Sequence, residues 1–372
     1  MSFMIQKIKE IEDIINKINF KNIYPYFEKQ KIGVYEDRHL HLSEGTVDFI
    51  SEVRLSTKEY STYTILNHDN LSDNNIINAG LFVRQMLINS FYKHHDKRIP
   101  NDLIGLRYPR IFLNYDYMGY ERYLIVKSIN AKDNYVKLNY FRMFLNVRDL
   151  RRQIIGNDYS MQEYNLETIE GLATYLMFKV VEQLDKSLAK SYLKESLKQF
   201  NHVTKESFDF FNVNKEVGFF MALIMDDLGL DIGLLYEGTD TLYQLATNKI
   251  KFIREPISYR SDRTLINKLE KYESSISEKF SIFFENNPKR VQGPFQIFAY
   301  DPKRIFVDKD NLYHESFVIL KNLLNNELIR LNGPVITKVL DNSIDIVTSY
   351  HYFEYAKKNK KRWLRCQFYF LL

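Results

Sequence analysis

The chain has 372 residues with 52 basic and 47 acidic side chains, a net charge of +5, and is 45% hydrophobic and 27% charged, with a mean hydropathy of −0.36. That balance excludes a disordered tail, gives no ground for nucleic acid as a partner, and leaves room for a substantial core. The single cysteine, Cys366, excludes a disulfide framework and a multi-cysteine zinc ribbon, and no apolar run reaches the roughly 20 residues of a bilayer span. The N-terminal stretch MSFMIQKIKEIEDIINKI carries charge in every turn, unlike the apolar centre of a signal peptide, so the expectation is a cytoplasmic protein with no membrane partner.

From Ile5 to Phe27 the apolar residues Ile5, Ile8, Ile11, Ile14, Ile15 and Ile18 follow the spacing of an amphipathic helix. Between residues 32 and 66 the period changes, and VYEDRHLHL and TVDFISEVRL predict a strand pair around a turn at Ser43-Glu44-Gly45. Residues 76–95, IINAGLFVRQMLINSFYKHH, predict a buried helix ending before Pro100. Helices are also predicted over 116–130, 138–153, 163–200 and 215–229, with breaks at Asn130 to Asn134, Gly156 to Ser160 and Gly229 to Gly233. Glu255 to Phe280 reads as a polar linker leading into one helix. From Pro288 the segments PFQIFAY, KRIFVD, ESFVILK, ELIRLNGPVIT and SIDIVTSY predict strands separated by turns such as Asp308-Lys309-Asp310-Asn311. The fold class is therefore α+β, mainly α. A helical core over 76–254 lies between an N-terminal helix and small sheet (1–75) and a linker helix with a β-rich module (255–372).

The segment Glu163-Tyr-Asn-Leu-Glu167-Thr-Ile-Glu170-Gly-Leu-Ala-Thr-Tyr175 places three carboxylates at i, i+4 and i+7, on one helical face. Such a stripe is ordinarily solvated and favours the helix dipole, but Gly171-Leu172-Ala173 directly after Glu170 suits a buried helix. Elsewhere the chemistry-bearing residues are sparse. His39-Leu40-His41 puts two imidazoles on one strand face without a third ligand nearby, and His94-His95 closes the 76–95 helix, where a C-terminus favours histidine in any case. Cys366 has no motif around it and suits a buried thiol beside Phe368, Tyr369 and Phe370, and the basic run Lys357 to Arg362 suits a solvated charge cluster. Phosphate-binding glycine loops, GxSxG and CxxC are absent.

Glu170 to Tyr175, EGLATY, resembles the EGxAxY helix that supplies the third zinc ligand in the gluzincin group of zinc metallopeptidases. The resemblance extends over about residues 75–250, through Tyr108-Pro109, the helix bearing Glu121, the cluster Arg148, Arg151 and Arg152, and Gly218-Phe219-Phe220 leading into Leu223 to Asp226. It implies an HExxH helix upstream, whose counterpart here is Arg84-Gln85-Met86-Leu87-Ile88. Every catalytic position differs. Neither a guanidinium at Arg84 nor an alkyl chain at Ile88 has a lone pair for zinc, and the amide of Gln85 cannot act as the general base.

The expectation is thus a degenerate site of Arg84, Gln85, Ile88 and Glu170, supported by Glu121, Glu167 and Tyr175, in which Arg84 replaces the metal as counter-charge to Glu170. No catalytic residue, metal or cofactor is expected in such a pseudoenzyme. It would hold a peptide or protein segment in the former cleft. Two alternatives stay open: an active hydrolase whose metal is bound by a set such as His94, His95 and Glu121 or Glu170, and a scaffold or regulator without a cleft, recognisable by a filled space between the 76–95 and 163–180 helices.

Overall fold

Met4, Ile8, Ile11 and Ile15 form the buried face of the first helix, α1 (Phe3–Lys17). The structure, a computed structural model, describes residues 3–37, 39–48, 62–94, 96–101, 104–105, 107–202, 204–252, 263–301, 304–340, 343 and 345–354, without the side chains of residues 22, 205, 206 and 263. The expected helix to Phe27 is shorter, because the chain leaves α1 after Lys17 and makes a separate 3-10 turn at Phe20–Asn22 ahead of Pro25. The described residues form an α+β fold, mainly α, in two compact units: residues 1–100 with 109–266, and 101–108 with 267–372.

In the first unit, β1 (Lys31–Glu36), β2 (His39–Leu42), β3 (Gly45–Asp48) and β4 (Tyr63–Asn67) make a sheet of order β3-β2-β1-β4. The predicted turn at Ser43-Glu44-Gly45 joins β2 to β3, whereas β4 runs parallel to β1. The later part of the expected strand TVDFISEVRL lies outside the described residues. The helices that follow are α2 (Asn75–Lys93), α3 (Phe112–Asn130), α4 (Asn134–Ile155), α5 (Asn157–Leu184), α6 (Lys186–Asn201), α7 (Phe210–Asp227), α8 (Leu234–Glu237) and α9 (Leu242–Lys249).

Local chemistry sets their ends. Asn74 caps α2 by accepting from the backbone N–H groups of Ile76 and Ile77, Asp133 caps α4, and Asp209 caps α7. The single helix expected over 163–200 is divided by Asp185, which adopts extended backbone (φ −151°, ψ 100°) and caps α6 through its own side chain. Between α4 and α5 the chain turns at Gly156 alone, at φ +86°, a conformation that costs glycine little. The rest of the expected break, as far as Ser160, is already helical. Among the described residues no helix is long and apolar enough to cross a membrane.

The second unit contains an antiparallel sheet of order β6-β7-β10-β11-β5-β8-β9, built from β5 (Lys289–Tyr300), β6 (Ile305–Asp308), β7 (Asn311–His314), β8 (Phe317–Asn322), β9 (Leu328–Asn332), β10 (Val335–Val339) and β11 (Ile346–Tyr352). Helix α10 (Arg263–Glu285) belongs to this unit from Asn267 onward, and its Ile276, Phe280 and Phe283 pack with Ile336 of β10. The turn expected at Asp308 to Asn311 is a tight hairpin with Lys309 at φ +53°, and β7 begins at its last residue. The stretch ELIRLNGPVIT is two strands, parted at Gly333 at φ +83°.

Candidate functional site

Helices α2 and α5 lie side by side, and their contact is close: a Cβ on Gly80 would come within 2.9 Å of Met177 Cγ and 3.3 Å of a Val181 methyl. One turn further along α2, Arg84 reaches across this seam. Its Nη2 donates to Glu170 Oε2 in a short ion pair, and its Nε donates to Thr174 Oγ1 at 3.3 Å. Arg84, Glu170 and Thr174 thus form one unit in which the EGLATY helix presents its carboxylate and, one turn on, its hydroxyl to the same guanidinium. The pair is largely shielded, with the two side chains 22% and 15% exposed.

The other positions of the Arg84-Gln85-Met86-Leu87-Ile88 segment have other partners. Gln85 Nε2 donates to Asn89 Oδ1 at 2.9 Å, and Asn89 in turn donates to Thr64 Oγ1 of β4 at 3.2 Å, so this amide belongs to a polar chain leading to the small sheet. Ile88 is buried. Zinc, which the family resemblance implies, does not fit these residues: Arg84 and Ile88 have no lone pair to give, and the carboxylate of Glu170 already holds a cation.

The three carboxylates of the α5 stripe are held by three arginines, Glu170 by Arg84 of α2 and Glu167 and Glu163 by Arg148 and Arg151 of α4, and the stripe is not solvated. Glu163 and Glu167 are fully buried beside α4, whose Arg148 and Arg151 sit three residues apart on the facing surface. Arg148 donates through Nε and Nη2 to the two oxygens of Glu121 on α3, each at 2.9 Å, and through Nη1 to Glu167. Arg151 donates to Glu121 Oε2 at 2.7 Å, Glu163 Oε1 at 2.5 Å and Asn114 Oδ1 at 2.9 Å. Arg148 also stacks over Phe144, 5.1 Å from the ring centre. Both supporting glutamates named from the sequence therefore lie in one buried ionic cluster, together with Glu163 and Asn114.

Two guanidinium groups face three carboxylates there, so full ionisation would leave one excess negative charge in the core. The burden falls on Glu167. Burial, with Glu163 and Glu121 adding to it against the pull of Arg148, pushes its carboxyl up to about 7. Glu121, bonded by both arginines, is held below the usual carboxylate range despite its burial.

Tyr175 stands further along α5, with burial and neighbouring Asp226 raising its hydroxyl; Lys179 lies 6.0 Å from its ring centre. His94 is at the C-terminus of α2 and lines a cavity of about 470 Å³ with Tyr24, Ser90, Asp96 and Tyr236; His95 lies outside the described residues. His39 pairs with Asp48 at 3.3 Å and His41 bonds Thr46 at 3.0 Å, so each imidazole is held within the small sheet. No group of three His, Cys, Asp or Glu side chains suited to a metal occurs among the described residues. The segment 357–362 and Cys366 lie outside them.

Sequence reasoning missed the pairing of α4 with α5 across Gly156, although a signal was present: arginines at i, i+3 before the turn and glutamates at i, i+4 after it. It also missed Arg122, which follows Glu121 but turns instead to Phe200 of α6. Comparison of the chain with family models, curated proteins and solved structures finds no match.

Proposed function

We propose that the chain is a catalytically inactive, cytoplasmic protein of metallopeptidase-like build, related to the gluzincins, that binds a peptide or protein segment and does not cut it. The observation that carries this reading is the Arg84–Glu170 pair: the carboxylate that a gluzincin would turn to zinc is neutralised by a guanidinium on the helix where HExxH would stand. A guanidinium can balance the carboxylate, but unlike zinc it cannot coordinate a water and lower its pKa to make a nucleophile. Binding is then the activity left to such a site, with neither nucleic acid nor membrane as its partner.

A second reading, a scaffold or regulator without a cleft, draws on the close seam at Gly80, where α2 meets Met177 and Val181 with no room for a methyl group. The two readings part in one experiment. The purified protein is offered an unstructured peptide library in the presence of zinc, and retention and cleavage are both measured. The binding reading expects saturable retention of a subset of peptides, no chelator-sensitive cleavage, and weakened retention in Arg84→Glu. Cleavage with about one equivalent of zinc would overturn both readings in favour of an active hydrolase; no retention would leave the scaffold.

A further inference from the structure

A cavity of about 750 Å³ opens between α3, α6 and α7 of the first unit, and neither Arg84 nor Glu170 lines it. Its exposed rim carries Lys198, His202, Thr204 and Asn212, and deeper in it stand Glu216 and Arg122. Arg122 is unusual among the buried arginines of this unit. Arg98 donates to the carboxylate of Asp96 and to the backbone oxygens of Leu235 and Asp240, and Arg148 and Arg151 are spent on the glutamate cluster. Arg122 is only 7% exposed, yet it makes no hydrogen bond and no ion pair with any described residue. Its contact is with Phe200, whose ring centre lies 5.4 Å from the guanidinium carbon.

A guanidinium carries five N–H donors, and none of the Arg122 nitrogens is sealed off without a partner: they open into the cavity, where only solvent or a ligand can accept from them. Stacking on an aromatic ring satisfies the face of the group and leaves its edges, which hold the donors, for something else. Two carboxylates act on Arg122 from a distance, Glu216 and Glu121, and neither makes an ion pair with it; burial pushes the carboxyl of Glu216 above the usual carboxylate range, with Lys215 and Arg122 opposing. The cavity therefore offers a pre-positioned fork of donors, a second cation at Lys198 on the rim, and polar side chains able to orient a ligand. Its volume is that of sites for small organic molecules.

We propose that this cavity binds a small organic anion whose carboxylate or phosphate group seats on the edge of Arg122. The proposal is independent of the metallopeptidase reading. The planar fork of arginine matches two oxygens of either group, so the two ligand chemistries share one mode of recognition and differ in which probe binds more tightly.

The test is calorimetric titration of the full chain with succinate and, separately, inorganic phosphate, at ionic strength held constant with chloride. Saturable one-site binding of at least one probe is expected, with the tighter probe assigning the ligand's anionic group. Arg122→Met, which keeps the packing on Phe200 and removes the charge, is expected to weaken binding at least tenfold. Glu216→Gln, which removes a competing carboxylate, is expected to tighten it severalfold, an effect that a purely structural Arg122 would not produce. Should Arg122→Met fail to fold, Thr204→Trp serves instead, since a bulky ring at this exposed rim position fills the mouth and must abolish binding. No saturable binding by either probe, the same response to chloride alone, or binding unchanged in both Arg122→Met and Thr204→Trp would overturn the proposal.

Discussion

Glu167 is the residue at which the charge balance of the buried cluster is settled. Two arginines and three glutamates become neutral when one carboxyl keeps its proton, and Glu167, raised to about 7, is the one that keeps it. The sign of the consequence follows from linkage. A carboxyl raised from an ordinary value near 4.5 binds its proton in the fold but not in the unfolded chain between those two values. Its contribution is therefore fully present below about pH 4.5 and is lost as pH rises through about 7, at up to about 1.4 kcal/mol per pH unit. Glu121, lowered in the fold, acts in the opposite sense at the acid end, its stabilisation being present above the ordinary carboxylate value and lost as pH falls below it. Glu167→Gln, which keeps the shape and fixes the neutral state, is expected to raise stability at pH 8 relative to the parent while changing little at pH 5, as denaturant titrations at the two pH values would register. Arg148→Met should cost about 3 to 5 kcal/mol in the same assay, since it leaves buried carboxylates without their cation.

At the scale of elements, the crossing of α5 and α7 explains why EGLATY carries its glycine. A Cβ on Gly171 would meet the carbonyl carbon of Gly218 at 2.5 Å, and a Cβ on Gly218 would fall inside the backbone of Glu167. The two helices touch backbone to backbone, which holds Glu167 and Glu170 at fixed heights in the helical body. Gly218→Ala should therefore destabilise the protein by about 1 to 3 kcal/mol or more, the usual range for overpacking, and calorimetric unfolding would detect it as a lowered midpoint. The sequence made most of the helices legible because their apolar stripes are long and periodic, as in α1 and α2. It concealed the break at Asp185, since the apolar pattern runs on through both helices and only a capping side chain parts them. It concealed β7 as well, because the run Asp308 to Asn311 is so strongly turn-forming that the strand beginning at Asn311 is masked by the hairpin leading into it.

At the scale of the whole molecule, Glu167 in the first unit and His314 in the second titrate in opposite senses. In the second, His314 is fully buried, with Nε2 bonded to Thr337 Oγ1 at 3.0 Å, and burial lowers its imidazole to about 3. The unfolded chain protonates this side chain near its ordinary value of 6.5, so the stability that depends on a neutral His314 is present above that pH and lost progressively below it. His314→Gln is expected to flatten the acid side of the pH–stability curve, while Glu167→Gln flattens the fall toward alkaline pH; unfolding midpoints from pH 4 to 8 for the two variants separate the contributions. The candidate site was legible to the extent that a local pattern spoke for it: Glu170 and Arg84 could be placed from EGLATY and the apolar helix upstream, and they meet. Arg122 and its cavity were not, because a guanidinium without a partner has no spacing signature and depends on three helices brought together from distant parts of the chain. The central claim is that Arg84 stands as the counter-charge of Glu170 in place of a metal. A double-mutant cycle with Arg84→Met, Glu170→Gln and the pair, measured by denaturant unfolding, tests it most directly. The account predicts a coupling energy of at least about 1 kcal/mol, with the double change costing clearly less than the two single changes added. Additive losses, with a coupling indistinguishable from zero, would contradict it.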